Sequence, residues 1–82
     1  MTEENIISDL QAWFVANTGD SVGKDQPYLA TGRFDSFDLI VLISHIESSY
    51  QITFSSEDFL ASDFGTFSGL ARIIQIRRAS GG

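Results

Sequence analysis

The sequence predicts an all-α fold, a bundle of four helices, three longer and one short, with a long loop between helices 1 and 2. Three observations carry this expectation. Large apolar residues recur at helical spacing in three separate segments, cap-forming residues stand in front of them, and no stretch shows the sustained alternation of a paired strand. With 82 residues and 43% apolar side chains, the chain can build one domain that buries about 60% of its unfolded surface, and not two. A large enzyme with an enclosed cleft is thereby disfavoured.

The first helix is expected from Glu3 to Asn17, where Ile6, Leu10, Trp13 and Phe14 fall at i, i+4, i+7 and i+8. Thr2 can cap it, and Glu3 and Glu4 suit the positive end of its dipole. Residues 18 to 34 lose periodicity and collect Gly19, Asp20, Ser21, Gly23, Asp25, Pro27 and Gly32, so they read as an ordered loop anchored by Tyr28, Leu29 and Phe34. A connection of that length in a small domain is more often functional than not.

The second helix is expected from Ser36 to Tyr50. At 100° per residue, Leu39, Leu42, Ile43, Ile46 and Tyr50 gather on a core side, while Phe37, Val41, Ser44, His45 and Ser48 gather opposite. Gln51 to Phe54 reads as an extended connector. Ser55 or Ser56 with Glu57 and Asp58 starts a short helix through Leu60, anchored by Phe59. Thr66 caps the last helix, whose stripe is Phe67, Leu70, Ile73 and Ile74 and whose end carries Arg77 and Arg78. The expected core joins Ile6, Leu10, Phe14, Leu42, Ile43, Ile46, Phe59, Leu70 and Ile74.

Composition removes several function classes. Eleven Asp and Glu against five Lys and Arg leave a net charge of −6, which repels a polyphosphate, so no nucleic-acid partner is expected. Without cysteine there is no disulfide framework, thiolate nucleophile or Cys-rich zinc site. The longest apolar run, Leu39 to Ile43, is far too short to span a bilayer, and the acidic start lacks the features of a signal peptide. The expectation is a cytoplasmic monomer with no membrane insertion. The single His45 has no second ligand in sight and reads as a surface or satisfied histidine, with no metal site.

The sharpest local feature is Asp35-Ser36, at the first turn of the most apolar helix and directly after the long loop. Either residue can serve as the N-cap. A helix N-terminus is also where a phosphate on a serine oxygen is best tolerated, because free N–H groups and the dipole face the anion. This serine can therefore carry a phosphodiester.

The stretch from Leu29 to Leu39, containing Thr31-Gly32-Arg33-Phe34-Asp35-Ser36-Phe37, and its continuation through Ile52 resemble the attachment region of acyl carrier proteins. Ile52 to Phe59 is similar to that family's approach to its third helix, and Thr66-Phe67 to its fourth-helix start, so the resemblance covers nearly the whole chain. It implies a single acyl-carrier-like domain over residues 1–78, with 79–82 as a flexible tail. It also implies that Ser36 is the attachment site of 4′-phosphopantetheine taken from coenzyme A, with Asp35 part of the motif that the transferase recognises. The family's Asp-Ser-Leu is matched at Asp35 and Ser36, and Phe37 replaces the Leu. Phe34-Asp35 replaces the Gly-His of peptide-synthetase carriers, so the motif is closer to the D-alanyl carrier and to stand-alone carriers with dedicated ligases. Val41 and Ser48 stand on a helix face where fatty-acid carriers commonly display carboxylates.

The resemblance implies a carrier that is not itself an enzyme. It would hold an acyl or aminoacyl group as a thioester and serve a phosphopantetheinyl transferase, an acyl or aminoacyl ligase and downstream transferases. Residues 34 to 64 contain Asp35, Asp38, Glu47, Glu57, Asp58 and Asp63 and no Lys or Arg, a field that would steer basic partners. Phe37 and Val41, one turn apart beside Ser36, add an apolar pair, and with Asp38 and Glu47 they are the expected partner-binding residues. Two other classes compete. A helical interaction module without prosthetic group would use Asp35-Ser36 only as a cap. A ubiquitin-like conjugator would use the terminal Gly81-Gly82, but that fold needs strands, and the pair reads better as a frayed tail.

Overall fold

The computed structural model describes residues 2–32 and 34–79. The expected tail, 79–82, lies outside them except for Ala79, as does Arg33 of the attachment motif. Among the described residues the chain is all-helical, with α1 at Glu3–Thr18, α2 at Ser36–Tyr50, α3 at Ser56–Leu60 and α4 at Phe67–Ala79. Two 3-10 turns join them, Tyr28–Thr31 before α2 and Ser62–Gly65 before α4. None of these helices is long and apolar enough to cross a membrane.

The helix starts follow from their caps. Thr2 accepts the Asn5 N–H at 3.2 Å, Ser55 accepts that of Asp58, and Thr66 accepts that of Gly69 at 3.0 Å. The apolar stripes then meet: Ile6, Ile7, Leu10 and Phe14 of α1, Leu42, Ile46 and Tyr50 of α2, and Phe67, Leu70, Ala71, Ile73 and Ile74 of α4 are all buried. Burial of this continuous apolar set is the main stabilising term. The connectors contribute more than their lack of periodicity suggests, since Val22, Tyr28, Phe34, Ile52, Phe54 and Phe64 belong to the same core.

Four expected positions differ. Phe59 is 46% exposed, because one turn of α3 turns Asp58 inward and leaves Phe59 outside, against Phe54 and Phe64 with centroids 6.0 and 5.1 Å away. Leu29 is 48% exposed: adjacent residues of a 3-10 turn face different ways, and Tyr28 takes the inward position. Ile43 is only partly buried and packs at the edge of the core. His45, expected opposite the core, stacks on the Trp13 indole at 5.7 Å and 22°, because Trp13 is itself only partly buried and lies over the α2 surface. Asp9 of α1 closes this contact, accepting the Tyr50 hydroxyl at 2.8 Å with His45 Nε2 3.5 Å away. Burial, then the Asp9 hydrogen bond, hold the Tyr50 phenol above its ordinary pKa, so it remains a donor.

A partly buried charged cluster ties α3 to the end of α4. Arg77 donates to Asp58 Oδ1 at 2.9 Å, to Asp58 Oδ2 at 3.0 Å and to Ser55 Oγ at 2.9 Å, while the Ser55 N–H donates to Asp58 Oδ2 at 2.8 Å. Arg78 beside it donates to the Tyr50 carbonyl at 2.8 Å, holding the end of α2. The Arg77 hydrogen bonds hold the Asp58 carboxyl below its ordinary range; burial opposes the shift and the Ser55 N–H reinforces it. A depressed carboxyl pKa contributes stability that is fully present above the unfolded value and is lost as pH falls through the folded one. Asp58→Asn should therefore lower Tm at pH 7 and flatten the fall of Tm as pH drops below the ordinary carboxyl value, where the wild-type carboxylate takes up its proton. Thermal melts of both proteins across that range check this.

Gly69 shows where a helical glycine is compulsory. A Cβ built there would lie 1.9 Å from the Asp63 carbonyl oxygen, because the turn Ser62–Gly65 packs directly on the first turn of α4. Alanine is the better helix former by about 1 kcal/mol. Gly69→Ala should nevertheless destabilise, by about 1–3 kcal/mol net, since backbone must move to admit the methyl group. Urea unfolding checks the sign.

Candidate functional site

The beginning of α2 is fixed from behind by aromatic rings. Tyr28 is fully buried, stacks on Phe67 at 5.3 Å and 12°, meets Phe34 edge-on at 5.4 Å, and donates its hydroxyl to the Phe64 carbonyl. Phe34 in turn touches Phe14 at 5.2 Å and Trp13 at 6.3 Å. These contacts tie the Tyr28–Thr31 turn to the approach to α2. Gly32 closes its 3-10 turn at φ 80°, in the left-handed region that glycine enters without strain.

Two residues after Phe34 the helix begins, and its cap is settled. Asp35 is the N-cap: its Oδ1 accepts the Asp38 N–H at 3.0 Å, and Asp38 Oδ2 accepts the Asp35 N–H at 3.2 Å, a reciprocal capping box. Ser36 is the first helical residue. It is exposed, and no hydrogen bond among the described residues engages its hydroxyl. The cap and the serine are thus distinct, with Asp35 holding the helix end and the Ser36 hydroxyl left exposed beside it. The N–H groups of Ser36 and Phe37 point out of the helix end without intrahelical partners. A free anion would also meet the Asp35 and Asp38 carboxylates there, so a phosphate at this place is best retained by a covalent bond to Ser36.

The expected partner-binding residues divide. Phe37 is 71% exposed and Val41 39% exposed, and Ile40, which the sequence reading passed over, is 61% exposed. At i, i+3 and i+4 these three form one apolar stripe running from Ser36. The i+3 spacing alone could have flagged Ile40, but it lies between the two faces drawn for this helix. Asp38 sits in the capping box. Glu47 is elsewhere, about 16 Å along the helix axis from Ser36, where its Oε2 accepts the Phe54 N–H at 3.0 Å and holds the connector to α3.

The acidic run is likewise partly consumed by the fold. Asp63 pairs with Arg72 at 2.9 Å and Asp58 with Arg77, while Asp35 and Asp38 cap each other's backbone. Glu57 is left exposed at the start of α3. Charge at the site is therefore local to the α2 cap, and the larger exposed feature is apolar.

Compared with protein-family models and with curated proteins, the chain matches none. The residues at the start of α2 are what a functional reading has to stand on.

The separation of cap from serine predicts an asymmetry. Asp35→Ala should cost about 1 kcal/mol of stability, whereas Ser36→Ala, which removes no cap, should leave the unfolding free energy within about 0.5 kcal/mol of wild type. Equilibrium denaturation of the two variants side by side checks it.

Proposed function

We propose that this chain is a carrier protein that bears 4′-phosphopantetheine on Ser36, holds an acyl or aminoacyl group as a thioester on that arm, and presents it to partner enzymes. The observation that carries the reading is the Ser36 hydroxyl, exposed and unengaged at the first position of α2, directly behind an Asp35 cap that leaves it free. In the attachment step the Ser36 Oγ attacks the coenzyme A phosphorus that bears pantetheine. The Oγ–P bond forms, the P–O bond to the nucleotide breaks, 3′,5′-ADP departs, and the hydroxyl proton passes to a base of the transferase. The arm then supplies the thiol that a chain without cysteine lacks. In each of these steps the chain is the substrate and a partner is the catalyst, so it acts as a carrier and not an enzyme.

Partner recognition follows from what is exposed around the serine. Phe37, Ile40 and Val41 lose water when a partner covers them, so they set residence time, while the carboxylates at the cap and Glu57 set the approach of a basic partner. Such a mixed surface fits a phosphopantetheinyl transferase and a dedicated acyl or aminoacyl ligase, each meeting the chain as a monomer.

Intact-mass measurement after incubation with coenzyme A and a broad-specificity phosphopantetheinyl transferase should show one added phosphopantetheine on wild type and none on Ser36→Ala, with both folded by circular dichroism. Phe37→Ala should be modified several-fold more slowly, reflecting loss of its contact area. An unmodified wild-type chain would leave a helical interaction module whose Asp35-Ser36 is only a helix start.

A further inference from the structure

The contact between α1 and the second half of α2 holds the chain's single histidine, stacked on its single tryptophan. Independently of the reading of Ser36, we infer that His45, Asp9 and Trp13 form a proton-operated clamp: a proton taken up by His45 draws α1 and α2 together, and its loss loosens them.

Three features of the geometry support this. His45 Nε2 is buried and, among the described residues, has no hydrogen-bond partner. Such a group is uncommon in a folded chain, because its desolvation is left without compensation. Asp9 Oδ2 of α1 stands 3.5 Å from it and already accepts the Tyr50 hydroxyl at 2.8 Å. On the other side of the ring, Nδ1 lies 3.4 Å from Ser49 Oγ, one turn further along α2. The ring plane rests on the Trp13 indole with centroids 5.7 Å apart, inside the roughly 6 Å at which a cation over that face is attracted.

Neutral and charged imidazole fare differently here. The neutral ring carries one N–H and one bare lone pair. With the lone pair on Nε2, it meets the carboxylate acceptor against acceptor; with the proton on Nε2, the carboxylate meets only a dipole. The imidazolium donates from both nitrogens at once, toward Asp9 and toward Ser49, and sets its charge against the carboxylate and the indole face together. The His45 and Asp9 side chains are 27% and 46% exposed, so solvent screening keeps the clamp modest.

The other ionisable groups around it leave control with His45. Tyr50 keeps its proton, since burial and the Asp9 hydrogen bond hold its phenol above the ordinary range. Arg78 of α4 donates to the Tyr50 carbonyl at 2.8 Å and stays charged, and Glu47 on the same helix is engaged by the Phe54 N–H. Between about pH 5 and pH 8 imidazole is the side chain that ordinarily changes charge, and the chain has one.

The test is a double-mutant cycle on the full chain: wild type, His45→Gln, Asp9→Asn and the double variant, each unfolded by urea at about pH 5.5 and about pH 8. Asparagine retains an acceptor for the Tyr50 hydroxyl, so the cycle reads the coupling between positions 45 and 9. That coupling should be several-fold larger at the lower pH, because what the bound proton contributes is lost as pH rises through the imidazole range. Trp13 fluorescence of folded wild type should fall over the same interval as pH is lowered, since an imidazolium against the indole accepts an electron from the excited ring, and should stay level in His45→Gln. Equal coupling at both pH values overturns the clamp, even where the fluorescence shows His45 titrating against Trp13. A fluorescence change of the same size in His45→Gln overturns it as well, because the proton then acts elsewhere.

Discussion

The approach to α2, and with it the place of Ser36, depends on the burial of one side chain, Tyr28. Its ring lies between Phe67 of α4 and Phe34 at the approach to α2, and its hydroxyl reaches the Phe64 carbonyl in the turn before α4. Burial holds the phenol above its ordinary pKa, so it remains a donor at neutral pH. A loop of some seventeen residues costs conformational entropy at every position it fixes, commonly about 1–2 kcal/mol each. The aromatic stack offsets that cost at the point where order is needed, immediately before Ser36.

The same economy governs the charges. A chain with a net charge of −6 resembles a uniformly acidic docking surface when read as a string, yet several of its carboxylates are engaged by the fold. Asp58 is turned inward to Arg77, Asp63 meets Arg72, Glu47 holds the connector, and Asp35 and Asp38 secure the start of α2. Beside Ser36 the exposed surface is instead apolar, made by Phe37, Ile40 and Val41. A partner that approaches through charge would be held by shape.

The three longer helices were legible because each is marked twice, by a stripe and by a cap, and the short α3 by its cap alone. Periodicity placed α2 at Ser36 to Tyr50, the range the structure shows, and Thr66 was readable as a cap from its position before Phe67. The loop was legible only as a loop. That Tyr28 turns inward and Leu29 outward depends on a 3-10 turn four residues long, too short to leave a periodic signal. Phe59 was assigned to the core because it is large and apolar, whereas the buried place on α3 is taken by Asp58, whose partner Arg77 lies nineteen residues further on. At the site, the pairing of Asp35 with Ser36 was readable, but their division into cap and free hydroxyl was not. Either side chain can cap, and only the Asp38 contact decides between them.

The claim that Tyr28 positions the start of α2 is tested most directly by amide hydrogen exchange in Tyr28→Leu, which keeps an apolar side chain but removes both the ring stacked on Phe67 and Phe34 and the hydroxyl donated to Phe64. Residues 28 to 39 are expected to exchange markedly faster than in wild type, while the buried amides of α1 and the later turns of α2 keep their protection. Unchanged exchange across residues 28 to 39 would contradict it, since the first turn of α2 would then be held by something other than the Tyr28 anchor.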